Sequence, residues 1–301
     1  MALAPRVVVV HRRSELDELT ERHSTRGQVE FFLKQRGQTL AAAEIADDEA
    51  AAAHRAVAAA IPPDWRRADV EREDLPRFLF GPEDVIAVIG RDGLVANVAK
   101  YVDAQPVVGF NPFPHSNAGV LTPFDPQAAG VLLPAVVAGQ VATVKRTMVA
   151  ARLDDGQVIE ALNDLYLGDQ GHQSARYHIE PPGKPPEMQS SSGIVVGTGT
   201  GATGWLASLA HDRSLASLLP APADARLAWF VREAWPSPFT AVNHTSGVIE
   251  PSSRLLITVD SESLVVFGDG IETDWLEVTH GQRLEIGVAA RKLTWVAPRA
   301  Q

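Results

Sequence analysis

The sequence predicts an α/β domain with a parallel sheet, followed by an antiparallel β-sandwich domain. In the first third of the chain, short apolar runs alternate with helical patterns, as they do in parallel α/β sheets. After about residue 122, many short β-branched segments follow one another, separated by turn formers. A proline-rich stretch without periodicity, residues 111–126, separates the two parts. We therefore predict domain boundaries at residues 1–122 and 123–301.

The first domain is predicted to contain three strands and four helices. Its apolar runs lie at residues 7–10, 85–89 and 106–110, and each has the length of a buried strand. The alanine-rich helix 40–61 ends before Pro62 and Pro63, because proline cannot continue a helix. The other predicted helices cover residues 14–22, 28–36 and 94–102.

The second domain is predicted to be almost all β. One helix, residues 204–218, interrupts the strands. The predicted strands are residues 142–152, 158–167, 175–180, 194–197, 227–232, 254–259, 263–267, 275–278, 283–288 and 292–296.

Composition excludes several classes of partner and site. The net charge is −10, from 27 basic and 37 acidic residues, which argues against nucleic acid and anionic membranes. The chain has no cysteine, so it has no disulfide and no thiolate metal site. No apolar run reaches the roughly 20 residues that span a bilayer. We expect no bound metal held by the protein itself and a cytoplasmic location.

The first candidate site is Gly90-Arg91-Asp92-Gly93, which follows the strand 85–89 directly. A strand, a glycine turn and a helix set the N-terminus of that helix against a phosphate group in many α/β proteins. An ordinary turn explains the glycines but not an aspartate placed between an arginine and a glycine. We therefore take Asp92 as the starting point for the chemistry.

The second candidate site lies in the other predicted domain. Gly199-x-Gly201-x-x-Gly204 matches a dinucleotide fingerprint, but it stands among late strands rather than in the first βαβ unit. Its glycines either approach phosphates or form a tight turn before a helix. Asn163-Asp164 either binds an adenosine or ends a strand, and the residues alone favour neither. Phosphate-loop, nucleophilic-serine and HExxH motifs are absent.

Taken in order, these motifs resemble the NAD kinase family, most closely its mitochondrial-type branch. GQVEFFLKQRG is similar to an N-terminal helix of bacterial members. VIGRDGL stands where the family has GGDGT, and PVVGFNPFPHSNAGVLTPF stands where it has a strand, an asparagine and a long loop. ALNDLYLGD corresponds to the Asn-Glu motif, and SSSGIVVGTGTGATGW corresponds to the threonine- and glycine-rich motif.

The resemblance implies transfer of the ATP γ-phosphate to the 2′-hydroxyl of the adenosine ribose of NAD. Asp92 would be the base that orients and deprotonates this hydroxyl. Magnesium would arrive on ATP, and the protein would be a homo-oligomer, a dimer or a tetramer. The residues expected to bind NAD are Gly93, Asn163, Asp164, Thr200, Thr203, Trp205 and Ser208, and those expected to bind phosphate or ATP are Gly90, Arg91, Gly199 and Gly201.

The sequence also departs from the family pattern. Ser192 replaces an aspartate of most bacterial members, as a serine does in the mitochondrial-type branch, and Leu94 replaces the threonine of GGDGT. Arg91 replaces the second glycine, and it either binds the ATP phosphates, fills their space or pairs with a carboxylate. These three cases correspond to a kinase, a weak nucleotide-binding regulator and a neutral substitution. A kinase of the same fold for a sugar or lipid hydroxyl is the other alternative.

Overall fold

The computed structural model describes residues 4–271 and 274–298, which form two compact units. The first unit contains the described residues up to Val144 and those from Thr294 onward, and the second is Lys145–Leu293. The predicted boundary, residues 122–123, therefore lies within the first unit. The segment after it stays there because Ala129, Leu133 and Val136 pack into the core of that unit.

The helices are α1 (Glu15–His23), α2 (Arg26–Lys34), α3 (Leu40–Ala59), α4 (Asp92–Ala99), α5 (Ala129–Val137) and α6 (Trp205–Asp212). The strands are β1 (Arg6–His11), β2 (Arg66–Glu71), β3 (Asp84–Ile89), β4 (Pro106–Phe110), β5 (Thr143–Leu153), β6 (Val158–Ala161), β7 (Asp164–Gly168), β8 (Ala175–Glu180), β9 (Glu187–Ser191), β10 (Ile194–Gly197), β11 (Leu227–Val231), β12 (Ser246–Ile249), β13 (Leu255–Val259), β14 (Ser263–Gly268), β15 (Trp275–Thr279) and β16 (Arg283–Val296).

The first unit is built on a parallel sheet in the order β2-β1-β3-β4, and the end of β16 lies parallel to β4. β1, β3 and β4 are mostly apolar because helices cover them, and every residue of β3 is buried. The strand at the edge, β2, is charged and largely exposed. Since β2 lies on one side of β1 and β3 on the other, the chain order reverses between β1 and β3. Ligands of open α/β sheets bind at the carboxyl ends of strands beside such a reversal.

The second unit is a sandwich of two antiparallel layers. One layer contains β13, β8 and β9 beside the first part of β16, and β5 pairs with β6 and β16. The other has the order β12-β11-β10-β7-β14-β15. Alternate residues of both layers, such as Tyr177, Ile257, Val196 and Trp229, meet in one apolar core. The predicted fold class is confirmed.

Several predicted elements are wrong in detail. β2 (RRADVE) was missed because its charged residues hide any apolar run, and α5, β9 and β12 were missed as well. The predicted strands 283–288 and 292–296 are one strand, β16. The predicted strand 158–167 is two strands, β6 and β7, interrupted at Leu162 and Asn163. The predicted helix 204–218 ends its α-helical part at Asp212.

Candidate functional site

Asp92 lies at the carboxyl end of β3, where the chain turns into α4. β3 ends at Ile89, Gly90 donates its backbone N–H to the Phe110 carbonyl at 3.1 Å, and α4 begins at Asp92. The first N–H groups of a helix have no acceptor within the helix, and they favour an anion. Asp92 is therefore positioned on the edge of the sheet where the chain order reverses.

The carboxylate of Asp92 holds the loop that follows β4. One oxygen, Oδ1, accepts from the backbone N–H of Leu121 at 2.8 Å, from that of Thr122 at 3.1 Å, and from the Thr122 hydroxyl at 3.2 Å. The other, Oδ2, accepts from the N–H of Val120 at 3.0 Å. Each carboxylate oxygen offers about two lone-pair sites, so these donors saturate Oδ1 and leave one site of Oδ2 open. Asp92 therefore anchors this loop, a role that the sequence analysis did not foresee.

The neighbours of Asp92 leave room for a ligand. Gly93 is exposed, and a Cβ added there would meet no atom within 4 Å, so internal packing does not require this glycine. Arg91 is exposed, and its guanidinium carbon lies 5.5 Å from the ring centroid of Phe113. No carboxylate pairs with Arg91 in the described part of the chain. Its exposed guanidinium can therefore take up an anion.

In the second unit, the break between β6 and β7 carries Asn163 and Asp164. The Asp269 carboxylate accepts from the N–H groups of Leu162 at 2.8 Å and Asn163 at 2.7 Å. The buried Thr198 hydroxyl donates to the Leu162 carbonyl at 2.6 Å, and the Thr198 N–H donates to the Asn163 carbonyl at 2.9 Å. The strand pattern stops at this point because these groups replace the usual partners of the backbone.

Three polar side chains at this break make no hydrogen bond within the described residues. They are the amide of Asn163, the carboxylate of Asp164 and the hydroxyl of Thr200, whose oxygen is buried. Burial raises the pKa of Asp164 to about 6. A buried polar group without a partner, such as the Thr200 hydroxyl, is rare in native proteins and marks a place where a ligand can supply the missing bond. Asn163 and Asp164 are half-buried, so their side chains are accessible to the same ligand. These three residues form what we call the unpaired cluster.

The glycine cluster after β10 has an explanation within the chain. A Cβ at Gly199 would lie 1.9 Å from the Ala221 carbonyl oxygen, and one at Gly201 would lie 2.4 Å from the Asn163 carbonyl oxygen. Both positions therefore need glycine, because another segment of the backbone comes too close to leave room for a Cβ. Their predicted contact with phosphate stays a prediction that the packing does not require.

The remaining predicted residues lie on or just before α6. Thr203 and Ser208 are exposed. Trp205 stacks on Tyr166, with ring centroids 5.7 Å apart and planes inclined by 26°, and the Arg232 guanidinium carbon lies 5.4 Å from its ring. The ring thus has partners from the chain itself, which favours a role in packing over stacking on a base.

Asp269 and Thr198 are the two residues of this region that the sequence analysis missed. Gly268-Asp269-Gly270 follows the predicted strand 263–267 and was given no role beyond separating it from the next strand. It nevertheless carries the signal used at Asp92, an aspartate next to glycine immediately after an apolar strand. Thr198 directly precedes Gly199, and the sequence analysis considered only the glycines and Thr200 and Thr203 of this segment.

The part of the chain that the structure describes contains neither a candidate metal centre nor a helix that could span a membrane. Within residues 4–271 and 274–298, no group of three or more His, Asp or Glu side chains could hold a metal ion. In the same ranges, no helix has the length and apolar character needed to cross a bilayer.

Comparison with known proteins gives matches in sequence and in fold, although no family model matches the chain. An NAD kinase of Chlorobaculum tepidum is 29% identical over 125 residues, 40% of this chain and 43% of the relative. An NAD kinase of Methanoregula boonei is 24% identical over 193 residues, 62% of this chain and 68% of the relative. The matched segment thus spans less than half the length of the first of these relatives.

Two solved structures share the fold over nearly the whole chain. Yeast NADH kinase complexed with NADH has a TM-score of 0.60 at 15% identity, over 99% of this chain and 84% of its own. An NAD kinase from Archaeoglobus fulgidus in complex with ATP has a TM-score of 0.58 at 15% identity, over 98% of this chain and 94% of its own. The chain is therefore related in sequence to the NAD kinases and has their fold.

Proposed function

We propose that this protein is an NAD kinase, which transfers the γ-phosphate of ATP to the 2′-hydroxyl of the adenosine ribose of NAD. The observation that carries the proposal is the sequence relation to two curated NAD kinases. The chain-long similarity in fold to kinases solved with NADH and with ATP supports both substrates. The reaction is a phosphotransfer to an alcohol.

The acceptor NAD is proposed to bind at the unpaired cluster. The Asn163 amide can both donate and accept, and the Asp164 carboxylate accepts from ribose hydroxyls. The buried Thr200 hydroxyl gains the partner that it lacks among the described residues. Gly93, Thr203 and Ser208 remain proposed contacts of NAD. Trp205 remains a proposed residue of the NAD pocket, which it supports by packing on Tyr166.

The donor phosphates are proposed to lie at the turn formed by residues 90–93. The free N–H groups at the start of α4 and the exposed Arg91 guanidinium both favour an anion there. Gly90 has its own N–H engaged with Phe110, so it contributes by allowing close approach rather than by donating. Gly199 and Gly201 remain proposed phosphate contacts on the resemblance alone.

Asp92 is proposed to orient the acceptor hydroxyl and to accept its proton. Its oxygens already take hydrogen bonds from residues 120–122, which fixes the carboxylate rigidly. The transition state of phosphoryl transfer is loose and depends on positioning and charge more than on proton removal. A carboxylate held in this way serves that need even though it is a weak base.

Four further features belong to the proposal. Magnesium is a component of the MgATP substrate, because Mg²⁺ binds phosphate oxygens and keeps several waters. Membership of the mitochondrial-type branch is supported by Ser192. A homo-oligomeric state and a cytoplasmic location stay predictions.

The test is a coupled assay in which the purified protein is given NAD and MgATP. A dehydrogenase that uses only NADP then reports the product. We expect NADP to form in proportion to the protein, with Asp92→Ala as the negative control. Failure to form NADP from NAD, and NADPH from NADH, at any pH between 6 and 9 would overturn the proposal.

A further inference from the structure

We propose that Asp269 is a positioning residue of the acceptor site, which holds the backbone at residues 162–164 so that Asn163 and Asp164 present their side chains to NAD. This inference rests on the proposed function, because it assigns a role within the same reaction. Asp269 itself need not touch either substrate.

The bonds between the two segments run in both directions. The Asp269 carboxylate accepts from two consecutive N–H groups, through Oδ2 from Leu162 and through Oδ1 from Asn163. In return, the Asp269 N–H donates to the Asp164 carbonyl oxygen at 3.0 Å. Both ends of the three-residue segment are thereby fixed to the same residue.

Thr198 completes the arrangement from another strand end. Its hydroxyl donates to the Leu162 carbonyl and accepts from the N–H groups of Thr200 at 3.0 Å and Gly201 at 3.3 Å. The N–H and carbonyl groups of Leu162 and Asn163 are therefore all hydrogen-bonded. The side chains of the unpaired cluster, by contrast, have no partner within the described residues.

This contrast separates a binding site from an ordinary strand break. A break formed only for structural reasons would also satisfy the polar side chain that it buries, whereas the buried Thr200 hydroxyl has no partner among the described residues. The half-buried side chains of Asn163 and Asp164 likewise have no partner there. The entropy of ordering the backbone that carries Asn163 and Asp164 is thus removed before the ligand arrives, which is what preorganisation requires.

The residue type at 269 fits this role closely. Asp269 has φ = 55° and Gly270 has φ = 67°, both in the left-handed region. Aspartate and asparagine tolerate this region better than most residues with a side chain. Only the aspartate also offers two acceptor oxygens for two N–H groups, so no other residue type satisfies both demands.

The test is Asp269→Asn, which keeps the backbone preference and removes one acceptor. The new amide group faces one backbone N–H, so either Leu162 or Asn163 loses its partner. We expect KM and Kd for NAD to rise about 10-fold or more, since small misplacements at a site have effects of this order. We expect KM for ATP to change less than twofold.

A matched control is Glu187→Gln in the same unit. The Glu187 carboxylate also accepts from two consecutive N–H groups, those of Asn243 and His244. This variant should lower the melting temperature as Asp269→Asn does, with KM for NAD unchanged. A role of Asp269 in stability alone would make the two variants kinetically alike, and that result would overturn the inference.

A second variant covers the case in which Asp269→Asn fails to fold. Thr198→Val removes the hydroxyl that holds the Leu162 carbonyl, and we expect the same selective loss of NAD binding. Wild-type KM for NAD in an active Thr198→Val protein would count against the inference. If the wild type neither binds NAD nor forms NADP, the proposed function fails and the inference fails with it.

Discussion

Asp92→Asn should weaken the first unit as well as slow the reaction. In the wild type, Oδ2 of Asp92 accepts from the Val120 N–H at 3.0 Å, while Oδ1 accepts three bonds from Leu121 and Thr122. An asparagine can keep the three bonds to Oδ1, but its amide nitrogen then faces the Val120 N–H, donor against donor. The three retained bonds also lose the assistance of the charge.

The size of the effect follows from these four bonds. The Val120 N–H loses its acceptor, and leaving one such group without a partner costs about 1–3 kcal/mol. Because Asp92 is partly exposed, the lower half of that range applies. Neutral bonds are about half as strong as charge-assisted ones, which adds a smaller loss. We expect the free energy of unfolding to fall by about 2 kcal/mol, or about 4–8 °C in melting temperature.

The measurement combines thermal unfolding with hydrogen exchange at the amides of residues 120–122. These amides should exchange faster in Asp92→Asn, and turnover should fall by about 10²–10⁴-fold. Asp125→Asn is the matched control, because Asp125 accepts a single backbone bond from Gln127 in the same unit. Unchanged stability and exchange in Asp92→Asn would refute the anchoring role, and more than half of wild-type turnover would refute the catalytic one.

Three further predictions concern single side chains. Asn163→Ala should raise KM for NAD with a smaller change in kcat, since it removes binding common to ground and transition states; an unchanged KM in steady-state assays at saturating ATP would contradict this. Arg91→Gly should weaken ATP binding about 10-fold in a titration; unchanged binding would make Arg91 a neutral substitution, and tighter binding would show that Arg91 blocks the site. Asp164→Asn should stabilise the protein at pH 8 by at most about 3 kcal/mol. Folding raises the Asp164 pKa from 3.8 to about 6, so the wild type must bury a charged carboxylate above that pH. The gain in the free energy of unfolding should shrink as pH falls through about 6 and vanish below about 4, and a gain that stays constant in urea titrations across this range would contradict the raised pKa of Asp164.

The sequence predicts the β3 turn well because the signal is local. Residues 85–89 are all apolar, and a continuous apolar run is the pattern that a strand buried on both faces of a parallel sheet has. The charged strand β2 gives no such signal, and its pairing with β1 depends on residues far away in the chain. Strands defined by their neighbours rather than by their own residues escape analysis of a single sequence.

The site shows the same division between local and distant causes. Asp92 stands out from its immediate flanks, whereas the flanks of Asn163 and Asp164 leave a binding site and a strand end equally open. The partners of Asp92 at residues 120–122 and the anchor of Asn163 at Asp269 lie 28 to 30 and 106 residues away. No spacing rule links such positions, so the hydrogen bonds that fix these side chains appear only in the folded chain.

The most direct test of the central claim is the identity of the phosphorylated product. Purified protein should be incubated with NAD and MgATP, and the product analysed by mass spectrometry and phosphorus NMR. We predict one new phosphomonoester on the 2′-hydroxyl of the adenosine ribose, formed with one ADP per NADP. Hydrolysis of ATP without transfer to NAD, or transfer only to a sugar or lipid hydroxyl supplied in its place, would contradict the assignment as an NAD kinase.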